Sequence, residues 1–398
     1  MFLKFFLPLV LLLFACAPLR PLAPVEKPPS TLPEEKIEEP LPPTPTPMPE
    51  PVEPDTAKKP IIEKKIDVGI GFEKRLAVIT CPEKKWEFKA GKSSRTEIET
   101  KGNCTYAGKT YRGTWIVIAA DTGVTIINHL DTEDYLKGVV PHEIGKLNLE
   151  GFEALKAQAV AARTYAYIHL GSRKTQGFDV YADTRDQVYN GRNDEDSLVN
   201  EAILATSNVV IKYNGNLIEA YYHSTCGGKT ESSEVWEKES KPYLAAVSDS
   251  TEGGIFCELS RYKKWEEKFS KTELAKLFQK NATNAKADKI FPFSKVEQIL
   301  ITEKFPSGRV KRLVVFTDRG SFEVFGDKVR WLFQRNGKIL PSALFGISQN
   351  GNDYIINGSG FGHGIGMCQF GVIARARTGQ KFDDILKAYY TGVSVEGY

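Results

Sequence analysis

Three stretches of this 398-residue chain carry side chains able to do chemistry. The first is YLKGVVPHEIG, residues 135–145, in which an apolar run reads as a buried strand stopped by Pro141. His142 and Glu143 follow, a proton carrier beside a carboxylate. Between GVV and an alanine-rich helix, Glu143 stands to lose part of its hydration. That raises a carboxyl pKa toward the range of a general acid. Asp179, Asp183, Asp186, Glu231 and Glu234 also sit near turns or element ends, where most carboxylates are simply solvated. The second and third stretches are YYHSTCGG, 221–228, and NGSGFGHGIGMCQFG, 357–371. His223, Cys226, His363 and Cys368 offer four ligands of zinc type, but the two pairs are too far apart in sequence for a finger or ribbon. Cys226 also has a competing partner in Cys257. The prediction is therefore a Cys226–Cys257 disulfide, a Cys81–Cys104 pair, a free Cys368, no metal and no cofactor. The glycines around His363 read as places where backbone passes close to another segment or a ligand. No G-x-S-x-G, HExxH or Walker loop occurs.

The elements that must position these residues form an α+β pattern. Residues 66–130 read as short strands: IDVGIGF, RLAVITC, KWEFKA, TYRGTWIVIAA and GVTIINHL. A helix is predicted over 150–170, with Phe152, Leu155, Ala159, Ala162 and Ala166 on one stripe. Lys156 and Arg163, two turns apart on that helix, read either as solvated cations or as a cationic edge facing a groove. A second helix is predicted at DSLVNEAILATS, then two strands joined at Asn214-Gly215, a hairpin signal. Residues 260–283 read as helix, 295–334 as a β-meander, and FDDILKAYYTGV as a helix closed by Gly392.

The chain's first residues, MFLKFFLPLVLLLFAC, carry one cation and an apolar run too short to span a bilayer, the pattern of a signal peptide ending in Cys16. Between Pro18 and Pro60 stand fifteen prolines, set mostly among Glu, Lys and Thr. Such a composition buries no core and reads as a disordered, extended tether. The predicted organisation is a signal segment 1–16, a linker 17–62, and a domain 63–398 with a β-rich part over about 63–130 and a core over about 131–398. With 53 basic against 50 acidic residues, and no basic run interleaved with aromatics, nucleic acid is not indicated as a partner.

Leu13-Phe14-Ala15-Cys16 resembles the lipobox of bacterial lipoproteins, which implies lipid on Cys16 and an exported domain held at a membrane. YLKGVVPHEIG…EALKAQAVAARTYA, QVYNG, IEAYYHSTCGGKTESSEVW, PYLAAV, SGRV, LPSALFGI and GSGFGHGIGMCQFGV resemble, in order, the stage II sporulation protein D family, also called the amidase-enhancer or LytB family. The resemblance covers nearly all of 66–398. It implies a lytic transglycosylase that cuts peptidoglycan strands between N-acetylmuramic acid and N-acetylglucosamine and leaves 1,6-anhydro ends. Glu143 matches the family's catalytic glutamate in VVxxE. Lys156, Arg163, Gln187, Tyr189, Ser224, Thr225, His363 and Gln369 are then expected to line a saccharide groove. The alternative implied is a non-catalytic, peptidoglycan-binding enhancer of an N-acetylmuramoyl-L-alanine amidase. Some members carry a zinc site just before QVY. Here that segment is FDVYADTRDQVY, with neither Cys nor His, and the site does not carry over.

Overall fold

The computed structural model describes residues 64–398; the signal-type segment, Cys16 and the proline-rich stretch lie outside the described residues. The described part is mixed α and β, as predicted. An antiparallel set of Ser94–Ile98, Thr114–Ala120, Gly123–Asp131 and Lys65–Glu73 gains a short parallel edge from Val180–Tyr181. Beside it stands a four-stranded sheet of Lys85–Lys89, Leu76–Thr80, Cys104–Tyr106 and Lys109–Tyr111. Cys81 and Cys104 are disulfide-bonded there, as expected.

The chain enters its first helix directly from the end of Gly123–Asp131, and the reading of residues 135–143 as strand is corrected. They lie in helix α1, Thr132–Glu143. Asp131 caps it by accepting from the Glu133 N–H at 2.9 Å. Tyr135, Leu136, Val139 and Val140 are buried at helical spacing, so GVV is the apolar face of a helix. Pro141 sits in the last turn, where its missing N–H removes one ladder bond and the helix stops two residues later.

Helix α2, Phe152–Ile168, runs where expected. Its buried Leu155, Ala159, Ala162 and Ala166 share one core with the α1 face, and the small alanines let the two helices pack closely. Helix α3, Ser197–Ala205, is capped by Asp196. Val209–Tyr213 then turns at Asn214 and Gly215, both at positive φ, into Asn216–Leu217. The expected second strand of that hairpin is only partly regular; it resumes as Tyr222–His223, which pairs in parallel with Met367–Cys368. The STCGG and GHGIG stretches are thereby laced together. The glycines of the latter serve backbone approach to another segment. Gly364, at φ 87°, faces the Arg309 guanidinium, and Gly366, at φ 67°, faces the Tyr221 carbonyl; a Cβ at either would collide.

Residues 260–270 are not helix. Trp265–Ser270 is a strand paired with Asp353–Gly358, and helix α4 begins only at Lys271, running to Asn281 behind a Ser270 cap. The alternating WEEKFS carried that signal. The meander is present as Val296–Lys304, Val310–Thr317 and Gly320–Phe325, followed by the short helix α5, Val329–Leu332. These elements enclose a second core built on Phe278, Leu313, Phe322, Phe333 and Ile356. Helices α6, Gln369–Arg377, and α7, Phe382–Tyr389, return the chain to the first core.

Candidate active site

Glu143, the last residue of α1, keeps part of its surface open to solvent. Its Oε1 accepts from the Val188 N–H at 2.8 Å, and the side chains of Gln369 and Tyr222 also hydrogen-bond to it. These three contacts favour the carboxylate, but burial outweighs them and pushes the carboxyl up to about 7. The group therefore changes charge near neutral pH, where a single carboxyl can both give and take a proton.

A relay of hydrogen bonds fixes its surroundings. The Tyr135 hydroxyl donates to Gln187 Oε1 at 3.2 Å, and Gln187 Nε2 donates to the Tyr222 hydroxyl at 2.9 Å. That leaves the Tyr222 proton free to point at Glu143. Burial, with Glu143 alongside, pushes the Tyr222 phenol well up, so it stays a donor. Gln369 is anchored on the other side by Gln158 Oε1 at 3.4 Å. His142, though adjacent in sequence, faces away: its Nδ1 lies 3.2 Å from Asn190 Nδ2, and its Nε2 lies 3.5 Å from Asp194. Burial lowers its pKa.

Several predicted groove residues have other duties. Arg163 is fully buried, holds Glu133 through Nε at 2.6 Å and Nη2 at 2.8 Å, and donates to the Val209 and Ile203 carbonyls. It ties α2 to α1, and the cationic edge facing a groove is corrected at this position. Lys156 pairs with Glu153 at 3.0 Å, with its ammonium over Phe152. Glu153 in turn accepts from the Phe382 N–H at the start of α7. Tyr189 is buried and donates to Asn128. Thr225 is buried against the Ser260 hydroxyl at 2.6 Å, while Ser224 stays partly exposed beside it. His363 Nδ1 accepts from the Ile365 N–H, so its proton sits on Nε2 and is donated to the Tyr222 carbonyl, both at 3.0 Å. Its pKa is lowered to about 4 by burial, so it is a neutral brace for the strand that carries Tyr222. The structure thus joins Glu143 with Gln369 directly and with Gln187 and His363 through Tyr222. Tyr222 and the Val188 N–H are the contacts that sequence reasoning missed. Both lie inside the quoted motifs: Val188 stands between the chosen Gln187 and Tyr189, and Tyr222 two residues before the chosen Ser224.

Among the other carboxylates, Asp186 is saturated by Tyr165, Arg173 and the Tyr181 N–H, and Asp179 by the Asp67 and Gly171 N–H groups. A cleft of about 750 Å³ lies nearby, lined by Lys109, Tyr111, Phe178, Tyr181, Arg185 and Tyr189.

The predicted Cys226–Cys257 disulfide is corrected. The two sulfurs stand 3.6 Å apart, unbonded, and Cys368 and Asp249 join them in one buried cluster. The histidines weighed as ligands are not part of it. His223 Nδ1 is engaged by the Ile365 carbonyl, and both nitrogens of His363 are used.

Part of the chain is similar to the stage II sporulation protein family. The family's sequence model, described as stage II sporulation protein, matches residues 120–213, which include Glu143 and Val188. An uncharacterised protein of Brachyspira hyodysenteriae is 33% identical over 302 residues, 76% of each chain. Stage II sporulation protein D of Bacillus subtilis is 29% identical over 68% of this chain and 75% of its own. The amidase enhancer of Bacillus subtilis is 33% identical over 66% of this chain, which spans only 40% of that protein's length. A second sequence model, a domain of unknown function, matches residues 256–366, the segment that holds the second core.

Proposed function

We propose that the domain is a peptidoglycan lytic transglycosylase acting on glycan strands, with Glu143 as its general acid and base. The observation that carries this reading is a half-buried carboxyl with a pKa near 7, held by one backbone N–H and two side-chain donors. In the first step Glu143 gives its proton to the glycosidic oxygen as the bond to C1 of the muramic acid breaks. In the second, the C6 hydroxyl of the same sugar attacks C1 and Glu143 takes its proton. The product is a 1,6-anhydro ring, no water is consumed, and the acid is regenerated. Hydrolytic glycosidases need a second carboxylate to activate water or attack the sugar; this intramolecular route does not. Tyr222 and Gln369 would keep the carboxylate formed between the steps hydrogen-bonded.

Exchange of Glu143→Gln tests this. The substitution keeps the shape and removes the transferable proton. Loss of anhydro-ended fragments by about 10⁴-fold is expected, at or beyond the upper end of general acid–base contributions, with glycan binding retained. Mass spectrometry of digested, peptide-stripped glycan reads the outcome. The similarity to an amidase enhancer supports a second reading, in which the domain binds strands and stimulates an amidase without cutting. Stimulation that is equal for wild type and Glu143→Gln, with no anhydro products from either, would establish that reading instead. We also propose that Cys16 carries lipid and that the proline-rich stretch tethers the domain to a membrane.

A further inference from the structure

Cys226, Cys257, Cys368 and Asp249 come from three separate parts of the chain and meet in the first core. Cys226 opens the double-glycine turn after Tyr222–His223. Asp249 and Cys257 flank the short hairpin of Ser250–Thr251 and Gly254–Ile255. Cys368 is the N-cap of α6. All four side chains are buried, and their ligand atoms lie within 4.8 Å of one another. We propose that these four residues form a closed, tetrahedral site for a zinc-like divalent cation, one that holds the fold rather than doing chemistry.

The geometry fits. Zinc–sulfur bonds of about 2.3 Å in a tetrahedron set the sulfurs about 3.8 Å apart. Cys226 and Cys257 stand at 3.6 Å, and Cys226 Sγ lies 3.2 Å from Asp249 Oδ2. A disulfide would satisfy two of the three sulfurs and strand the third beside a buried carboxylate, whereas a cation engages all four groups. The outer contacts match such a site as well. The Gly228 N–H donates to Cys226 Sγ at 3.3 Å, and the Cys226 and Gly371 N–H groups donate to Cys368 Sγ at 3.2 and 3.4 Å. The other oxygen of Asp249 accepts from the Tyr389 hydroxyl at 2.8 Å and from Arg375 at 3.1 Å, which turns Oδ2 toward the thiols. Gly371 leaves room for this, since a Cβ there would strike Asp249 and the Tyr389 hydroxyl. Three thiolates and a carboxylate select a soft, tetrahedral cation over magnesium or calcium. With four protein ligands no position is left open, so the role is structural.

The site would clamp three segments just behind the Glu143 pocket. Cys368 precedes Gln369, which bonds Glu143, and Cys226 lies four residues after Tyr222. The inference holds whether the domain cuts glycan or only binds it.

The test uses the full chain, purified anaerobically without chelator from zinc-replete cells. Elemental analysis should find one zinc per chain. Cobalt(II), titrated into chain stripped of metal, should produce thiolate-to-cobalt charge-transfer bands and the visible spectrum of tetrahedral cobalt. Asp249→Asn, which keeps the volume, should weaken cobalt binding by on the order of 100-fold. Cys368→Ser should lose charge-transfer intensity, and the Cys81→Ser/Cys104→Ser double variant should keep its zinc. Two results would each overturn the site: a cobalt titration without charge-transfer bands, or peptide mapping that finds a Cys226–Cys257 disulfide in the anaerobically purified chain.

Discussion

At the residue scale, Glu143 is decided by a contest between burial and three hydrogen bonds, and the winner predicts its pH behaviour. With a carboxyl pushed up to about 7, the acid form needed for the first step persists to neutrality. Anhydro-product formation should therefore fall about tenfold per pH unit above 7, while glycan binding stays flat. The same ionisation bears on stability. Between the ordinary carboxyl value of 4.5 and about 7, the folded state holds a proton that the unfolded state has released. Stability therefore falls as pH rises through that window. Glu143→Gln should escape this loss and unfold at a higher temperature than wild type at pH 8, but not at pH 4. The gain should be about 1–2 kcal/mol once partial exposure is allowed for. Thermal melts of the two proteins across pH measure it, and a constant difference would show that Glu143 titrates normally. Glu143 itself was legible in the sequence because an acid between an apolar run and an alanine-rich helix must be partly desolvated. Tyr222 and Asp249 were not, because no periodicity says that their oxygens would be aimed inward from distant loops.

At the element scale, the α1–α2 pair was half legible. The stripe of α2 gave a helix outright, whereas YLKGVV satisfies a buried strand as well as one face of a short helix, and Pro141 accentuated the error. The Asp131 cap and the acidic first turn, Glu133 and Asp134, were the deciding signals. Arg163 shows why a helical cation is ambiguous: spacing tells which face it is on, not whether a carboxylate such as Glu133 waits beneath. Because that pair joins α2 to α1, Arg163→Met should cost about 3 kcal/mol in denaturant unfolding. That is the low end for a broken buried pair, since Glu133 keeps some access to water. Adding Glu133→Gln should recover much of the loss, and the double-mutant cycle isolates the coupling. A fully stable Arg163→Met protein with weakened glycan affinity would restore the groove role and remove the structural one.

At the scale of the whole molecule, the division into two cores escaped the sequence reading. Residues 256–366 carry ordinary strand and helix patterns, and nothing local in them signals that they close on themselves while the flanking motifs meet. The opposite end of the chain is governed by composition alone. No helix among the described residues is long and apolar enough to cross a membrane, and the membrane attachment proposed above rests on the sequence alone. Cys16, at the end of an apolar run of signal-peptide length, is the candidate. A single acyl chain binds membranes only marginally, so stable anchoring needs more than one. Intact-mass analysis of membrane-extracted protein should accordingly find a chain that begins at Cys16 and carries diacylglycerol there. Cys16→Ser should move the protein from a salt-resistant membrane fraction to the soluble one while leaving the activity of the purified domain unchanged. A mature chain that begins elsewhere, or a Cys16→Ser protein that stays in the membrane fraction, would place the attachment outside Cys16.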